Sequence, residues 1–389
     1  MFKIRTYNAI SSKGLDRFPR DQYEIASEFS APDAYILRSH KLHGEPVPES
    51  VVAVARAGAG TNNIPVEDYT AKGIVVFNTP GANANAVKEL ILAGLLLGSR
   101  DIYGGMNYVQ GLTDMDDAAE MGKLLEAQKK QFAGGEIVGK TLGIVGLGAI
   151  GSLVANMAVE LGMRVIGYDP AISVEAAWQL SSRVERMENL QTLLGRSDFI
   201  TLHVPAIEAT RHLINAETLA GMKPSAKILN FAREEIVDTA ALLTALDAGQ
   251  LGGYITDFPR PELLGRKDVI TMPHIGASTA EAEENCAVMA ADQLMDFLRN
   301  GNIRNSVNYP KTVMERNGGT RITFSNNNVP KVLGSVLAVL AESNLNVLDM
   351  VNKSRGDVAY NIVDVEGEVT AAVRTAIAAV DGVTHVRVI

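Results

Sequence analysis

The stretch "KTLGIVGLGAIGSLVANMAVELGMRVIGYDP" leaves little freedom in what it can form. A run rich in apolar residues leads into Gly146, Gly148 and Gly151, spaced G-x-G-x-x-G, and the helical segment "SLVANMAVELG" follows at once. The next apolar run, "RVIGYD", ends in an acid, Asp169, about 20 residues beyond the glycines. Strand, glycine turn, helix, strand and acid in that order form a βαβ unit suited to a dinucleotide. Gly146 permits the tight turn, Gly148 lets the backbone approach a pyrophosphate, and Gly151 lets helix pack closely on strand. The helix N-terminus adds N–H groups and the positive end of its dipole. Asp169 suits the ribose hydroxyls and repels a 2′-phosphate, and Pro170 rather than an arginine follows it. NAD is therefore the expected cofactor, rather than NADP.

The same alternation of strand and helix extends to both sides. "AYILRS", "VVAVARAG" and "GIVVFNTP" read as strands, and "NAVKELILAGLLLGSRDI" as a long helix. Residues 104–139 are weakly patterned. Beyond the glycine unit, "SDFITLHVP", "AKILNFAR", "GYITDFP" and "DVITMPHIG" continue a second, larger sheet. Continuous apolar strands alternating with helices imply parallel sheets covered on both faces. A helix from about Thr279 to Asn300 is followed by "GNIRNSVNYP", whose polarity suggests a linker. The last seventy residues change to the order βαββαβ, a ferredoxin-like motif. The expected fold is thus α/β, with two doubly wound Rossmann-like domains and a C-terminal ferredoxin-like domain. The expected boundaries are a substrate-binding domain at 1–95 completed by about 280–305, an NAD-binding domain at 96–280, a linker at 306–318 and a regulatory domain at 319–389.

Composition removes several function classes. The net charge of −9 argues against a nucleic-acid partner. One cysteine, Cys286, allows no disulfide framework and fits a reducing compartment. The N-terminal "MFKIRTYNAISSKG" has no signal-peptide run, and "LILAGLLLG" is too short to span a bilayer. The expectation is a cytoplasmic protein with no membrane association. No Cys/His cluster suggests a metal, and G-x-S-x-G is absent.

Redox chemistry on an alcohol needs an acid/base, a partner that tunes it, and a cation that holds the substrate. Ligands of open α/β sheets bind at the carboxyl ends of strands. Three such ends carry Arg233, then Asp257 with Glu262, then His274, which stands between Pro273 and Gly-Ala-Ser-Thr. Taken singly, each has a structural alternative: a helix-start ion pair for Arg233, a turn cap for Asp257, a solvated acid for Glu262, a loop histidine for His274. His203, which ends a strand on the cofactor side, reads as a packing group or a support to the site, and Trp178 and the methionines read as packing groups.

These residues, with "ARAGAGTNNI", "FNTPGANANAV", "GYDP", "LHVP", "NFAREEIVD", "ITDFP" and "PHIGAST", give the chain a resemblance to the D-isomer-specific 2-hydroxyacid dehydrogenases. The resemblance covers nearly the whole chain, and the C-terminal domain resembles an ACT regulatory module. It implies NAD-dependent chemistry on a small phosphorylated hydroxy acid, with Arg233, Glu262 and His274 catalytic. Arg233 would grip the substrate carboxylate and carbonyl oxygen. His274 would exchange the hydroxyl proton, and Glu262 would orient the imidazole and favour its charged form. Cofactor contacts would extend to Ala149, Ile150, Pro205, Phe231, Ala232, Asp257, Gly276 and Ala277. Substrate contacts would come from Arg38, Arg56, Ala57, Gly58 and Asn83, and from Lys129 of a neighbouring cleft. Asn326, Asn328 and Asn346 would receive an amino-acid effector such as serine between paired domains. A homodimer or homotetramer is implied.

The chain departs from the family pattern at Glu234, where glycine usually follows the arginine, at Lys88 in place of alanine, and at Lys331 in place of glycine. Two other functions stay open: reduction of an unphosphorylated 2-oxo acid such as glyoxylate or hydroxypyruvate, and non-catalytic nucleotide sensing.

Overall fold

Short strands buried on both faces have no solvated side, which is why they read as unbroken apolar runs. The computed structural model describes residues 1–389, the side chain of Glu175 excepted. The chain divides into two units, Met1–Asn83 with Thr279–Ile389, and Ala84–Ser278. In the first, β1 (Phe2–Thr6), β2 (Tyr23–Ala26), β3 (Ala34–Leu37), β4 (Ala53–Arg56) and β5 (Val75–Phe77) lie parallel in the order β2-β1-β3-β4-β5. All four residues of β3 are buried. β1 and β2 had no clear sequence signal, because "FKIRT" and "YEIA" bury only Ile4 and Tyr23.

In the second unit, β6 (Thr141–Val145), β7 (Arg164–Tyr168), β8 (Glu185–Arg186), β9 (Phe199–Leu202), β10 (Lys227–Asn230), β11 (Gly253–Thr256) and β12 (Val269–Thr271) are parallel. Their order is β12-β11-β10-β9-β6-β7-β8, so the winding reverses between β6 and β9. β8 has two residues, both exposed, and no apolar run announces it. Helix Ala84–Ser99 goes with this unit, because Val87, Ile91 and Leu95 share a core with Leu229, Phe231 and Ile255. The weakly patterned segment forms helices Ile102–Gln110 and Ala118–Gln128, neither of which buries a residue. Neither covers a core of its own, and the acidic stretch "TDMDDAAE" between and into them breaks up the apolar pattern. Trp178 is 85% exposed, not a packing group.

The last sheet belongs to the first unit. It comprises β13 (Thr320–Asn327), β14 (Val347–Arg355), β15 (Val358–Val365) and β16 (Val383–Val388), antiparallel in the order β14-β15-β13-β16. Helices Val332–Glu342 and Ala371–Ala378 complete the βαββαβ order. Tyr360 and Ile362 of β15 join the core formed by Ile36, Phe77, Leu294 and Phe297.

The C-terminus of the long helix Ala280–Asn300 explains this attachment. The last carbonyls of a helix need partners outside it. Arg387 donates to the carbonyls of Phe297 and Leu298 at 3.2 and 2.8 Å. Arg321 donates to the Asn300 carbonyl at 2.9 Å, and the Tyr360 hydroxyl to that of Gly301 at 2.8 Å. At the other end, the Thr279 hydroxyl accepts from the Ala282 amide at 3.1 Å, an N-cap.

Residues 301–310, polar in sequence, are largely buried. The Val307 amide donates to the Val76 carbonyl, and Asn308 bonds the Val76 amide, the Thr70 hydroxyl and the Ile74 carbonyl, each at 2.9 Å. This polar segment satisfies the open edge of β5. Composition alone does not distinguish that role from solvation.

Burial lowers His385 on β16 to about 4 from 6.5, helped by the charges of Arg387 and Arg374. The folded protein therefore disfavours the protonated imidazole. Stability from this group is present above about pH 6.5 and is lost as pH falls toward 4, by at most about 1.4 kcal/mol per pH unit. Chemical unfolding of wild type and His385→Gln should give a difference that changes across this interval. Parallel curves would remove the effect. Among the described residues, no helix is long and apolar enough to cross a membrane.

Candidate active site

The glycine turn joins β6 to helix Ala149–Glu160, with Gly148 at its N-cap. Gly146 has φ +92°, and a Cβ there would meet the His203 carbonyl oxygen at 2.6 Å. A Cβ on Gly151 would stand 2.0 Å from the Gly146 carbonyl oxygen, so only glycine lets the helix approach. A Cβ on Gly148 would meet nothing within 4 Å, leaving open space in front of the helix where a pyrophosphate fits. Ala149 and Ile150 form the helix's first turn.

Asp169 follows β7, and its position is held by two amides. Oδ2 accepts from Leu147 N–H at 2.8 Å and Oδ1 from Ala171 N–H at 2.9 Å. Each carboxylate oxygen keeps acceptor capacity for a ribose hydroxyl. Pro205 lies just past β9, and its carbonyl accepts from the Thr210 hydroxyl. Burial pulls the His203 imidazole down to about 3, so it is neutral where its Nε2 meets the Thr201 hydroxyl at 2.9 Å.

The ends of the neighbouring strands β10, β11 and β12 carry the three proposed catalytic side chains. Phe231 is buried and Ala232 half-buried beyond β10, and Arg233 is exposed, its Nη1 donating to the Ala232 carbonyl at 2.6 Å. Glu262 sits in the single 3₁₀ turn Pro261–Leu263. His274 is exposed beyond β12 with φ +59°, a left-handed backbone uncommon outside glycine. Its ring meets that of Phe258 edge-on at 4.9 Å.

Two partners differ from the sequence expectation. Among the described residues, no hydrogen bond or ion pair joins Glu262 to His274. Glu262 faces Arg260, at 3.5 Å, because a fixed guanidinium charge two residues away outcompetes an imidazole. Its own backbone amide and then Arg260 hold its carboxyl below the usual range. Arg260 also pairs with Glu234 at 2.7 Å, which offsets the extra negative charge beside Arg233.

Asp257, expected as a cofactor contact, is 2% exposed. Its oxygens accept from the amides of Ile275 and Gly276 at 2.8 and 2.6 Å. It clamps the loop after His274, with Gly276 buried and Ala277 exposed.

The first unit carries the other expected substrate contacts. The Ala57 amide is committed to the Leu37 carbonyl at 2.8 Å, and that of Gly58 to the Arg56 carbonyl at 2.9 Å. Neither is free to receive a carboxylate without rearrangement. Arg56 Nε donates to the Arg38 carbonyl at 3.0 Å. Arg38 pairs with Glu283 at 2.7 Å, and His40 with Glu45 at 2.8 Å. Asn83 lies half-buried in the turn before Ala84. In the second unit, Lys129 pairs with Glu126 at 2.5 Å.

The expected effector asparagines are not gathered within one chain. Asn326 pairs in register with Ala359, whereas Thr320, Val365 and Val347 line up at the opposite end of the sheet, next to Asn346. The six-residue offset along β13 amounts to about 20 Å. Asn326 bonds Asn361 and Asn327, Asn328 bonds the Gly356 carbonyl, and Asn346 faces Glu366. Lys331 adopts φ +77° at the start of helix Val332–Glu342, the conformation a glycine would adopt without strain.

Sequence reasoning missed Asn230 and Arg260. Asn230 ends an apolar strand three residues before Arg233, and its burial is the signal that only coordinates supply. Among the described residues, no three His, Cys, Asp or Glu side chains gather as metal ligands.

Residues 105–276 match the family described as D-isomer specific 2-hydroxyacid dehydrogenase, NAD binding domain. D-3-phosphoglycerate dehydrogenase of Synechocystis sp. is 38% identical over 329 residues, covering 80% of this chain and 56% of that protein. The Haemophilus influenzae protein of the same name is 32% identical over 352 residues, 87% of this chain and 81% of its own length. The chain spans about half the length of the first two curated relatives it matches. The NAD+-bound 3-phosphoglycerate dehydrogenase of Entamoeba histolytica superposes with a TM-score of 0.60 at 26% identity, covering 79% of this chain and 98% of that one.

Proposed function

The chain belongs to the D-isomer-specific 2-hydroxyacid dehydrogenase family, and from that premise we propose that it oxidises D-3-phosphoglycerate to 3-phosphohydroxypyruvate with NAD. The observation that carries this reading is the delivery of Arg233, Glu262 and His274 by three adjacent strand ends of the sheet that also bears the glycine turn. Gly146, Gly148, Gly151 and Asp169 fit the cofactor: open space lies before Gly148, and an anchored carboxylate stands ready for the ribose. NAD, when bound, supplies a nicotinamide C4 that accepts hydride.

His274 takes the proton of the C2 hydroxyl as the C2–H bond gives up its hydride, and in reverse returns it. Arg233 holds the carboxylate and the developing carbonyl oxygen through two parallel N–H donors. Glu262 exchanges Arg260 for the imidazole once it carries charge. A surface ion pair of about 0–1 kcal/mol is a small barrier to that exchange. Asp257 keeps the His274 loop in place through both reactions.

Arg38 takes the phosphate in place of Glu283. Arg38→Ala should lower kcat/KM for D-3-phosphoglycerate by about 10-fold to 100-fold, as expected for a charge-assisted bond. Unphosphorylated D-glycerate should be little affected. A panel of both acids, with glyoxylate and hydroxypyruvate, against NAD and NADP tests the whole reading. Turnover confined to the unphosphorylated acids would overturn it. One observation favours that second reading: Arg38 and Lys129 are both already paired with carboxylates.

The third sheet is read as an ACT-like regulatory module. An amino-acid effector there requires a second copy, because Asn346 lies at the other end of the sheet from Asn326 and Asn328. A second copy also covers helices Ile102–Gln110 and Ala118–Gln128, where Tyr103, Met106 and Val109 stand exposed at helical spacing.

A further inference from the structure

We propose that Asn230 is a positioning residue: its buried carboxamide sets the turn that carries Arg233, and its carbonyl ties that turn to the loop that carries His274. The proposal rests on the catalytic assignment of Arg233 above.

Asn230 ends β10 and is fully buried, at 0% exposure. Its Nδ2 donates to the Arg233 carbonyl at 2.9 Å and to the Tyr254 hydroxyl at 3.1 Å. Its Oδ1 accepts from the Ala232 amide at 3.2 Å. The carboxamide thus uses both amide hydrogens and its oxygen, and two of the three bonds fall on the backbone flanking and forming Arg233. Burial pushes the Tyr254 phenol up, so it stays a neutral partner.

The backbone carbonyl of Asn230 continues the network. It accepts from the Thr256 hydroxyl and the Asp257 amide, both at 3.1 Å. Thr256 in turn accepts from the amide of Phe258, whose ring meets His274. Asp257 accepts from the amides of Ile275 and Gly276. One buried polar chain therefore runs from the Arg233 carbonyl to the residues just past His274.

A buried group that loses its partner costs about 1–3 kcal/mol, so this chain has one favourable arrangement. Arg233 needs such support. It is exposed, its backbone is extended at φ −154° and ψ 149°, and among the described residues its guanidinium hydrogen-bonds only the neighbouring Ala232 carbonyl. The position of a long side chain then follows from the backbone that bears it. A misplacement of about 1 Å costs on the order of 10²-fold in rate.

Asn230→Asp keeps the shape and removes both donors. We expect kcat/KM for D-3-phosphoglycerate to fall about 10²-fold. In an Arg233→Lys background the same change should cost less than about 3-fold, because the two residues act as one unit. A full loss persisting in that background would mark general damage and overturn the proposal. Tyr254→Phe, a milder loss within the same network, carries the double-mutant cycle if Asn230→Asp does not fold. Hydrogen exchange supplies a readout independent of turnover. Protection of residues 231–237 should fall in the variant while that of β6 and β9 holds, and unchanged protection of 231–237 would overturn the proposal. If wild type oxidises no 2-hydroxy acid, the functional reading fails, and the exchange result still decides what Asn230 does to the turn.

Discussion

His274→Asn is expected to lower kcat for the proposed substrate, D-3-phosphoglycerate, by about 10²-fold to 10⁴-fold, the usual contribution of the general acid/base that His274 is proposed to be. NAD affinity should stay within about 2-fold, because the glycine turn and Asp169 lie on other strand ends. The choice of asparagine follows from the backbone. At φ +59° most residues are strained, whereas asparagine is among the side chains most tolerant of the left-handed region. The loop therefore keeps its shape, and the Asp257 clamp on Ile275 and Gly276 stays intact. Alanine would mix loss of the imidazole with relaxation of the loop. Steady-state kinetics with a separate NAD titration distinguishes the two. Wild-type turnover in His274→Asn would remove the assigned role.

The second large effect concerns stability. Arg321 and Asp364 are each 1% exposed and meet through two bonds of 2.7 Å. The remaining donors of the guanidinium reach the carbonyls of Asn300, Met314 and Glu315 at 2.9, 3.0 and 2.9 Å. Arg321→Met leaves a buried carboxylate with no counter-charge and strands those carbonyls. The expected cost is about 3–5 kcal/mol. Replacing both partners, with Arg321→Met and Asp364→Leu, should recover much of it, because two apolar groups need no desolvation penalty repaid. Denaturant midpoints of the first unit measure both. A single substitution that moves the midpoint by less than the double one would overturn this account. The same guanidinium holds the end of helix Ala280–Asn300, whose first turn carries Glu283, the partner of Arg38.

The sequence by itself determined the dinucleotide turn, the apolar strands of both parallel sheets and the βαββαβ tail. Glycine spacing, β-branched runs and turn residues act over short distances, and each leaves its mark within a few neighbouring positions. It also singled out Arg233, Glu262 and His274, because strand ends are readable where an apolar run stops at a polar residue. Only the tertiary structure decided the partners. Arg260 turns to Glu234, Asp257 spends its carboxylate on two amides, and the polar run 301–310 is buried against β5. The same holds for the docking of the last sheet onto the long helix through Arg321, Tyr360 and Arg387. Charge pairing and burial depend on which groups long-range folding brings within about 3 Å, and no local pattern encodes that distance.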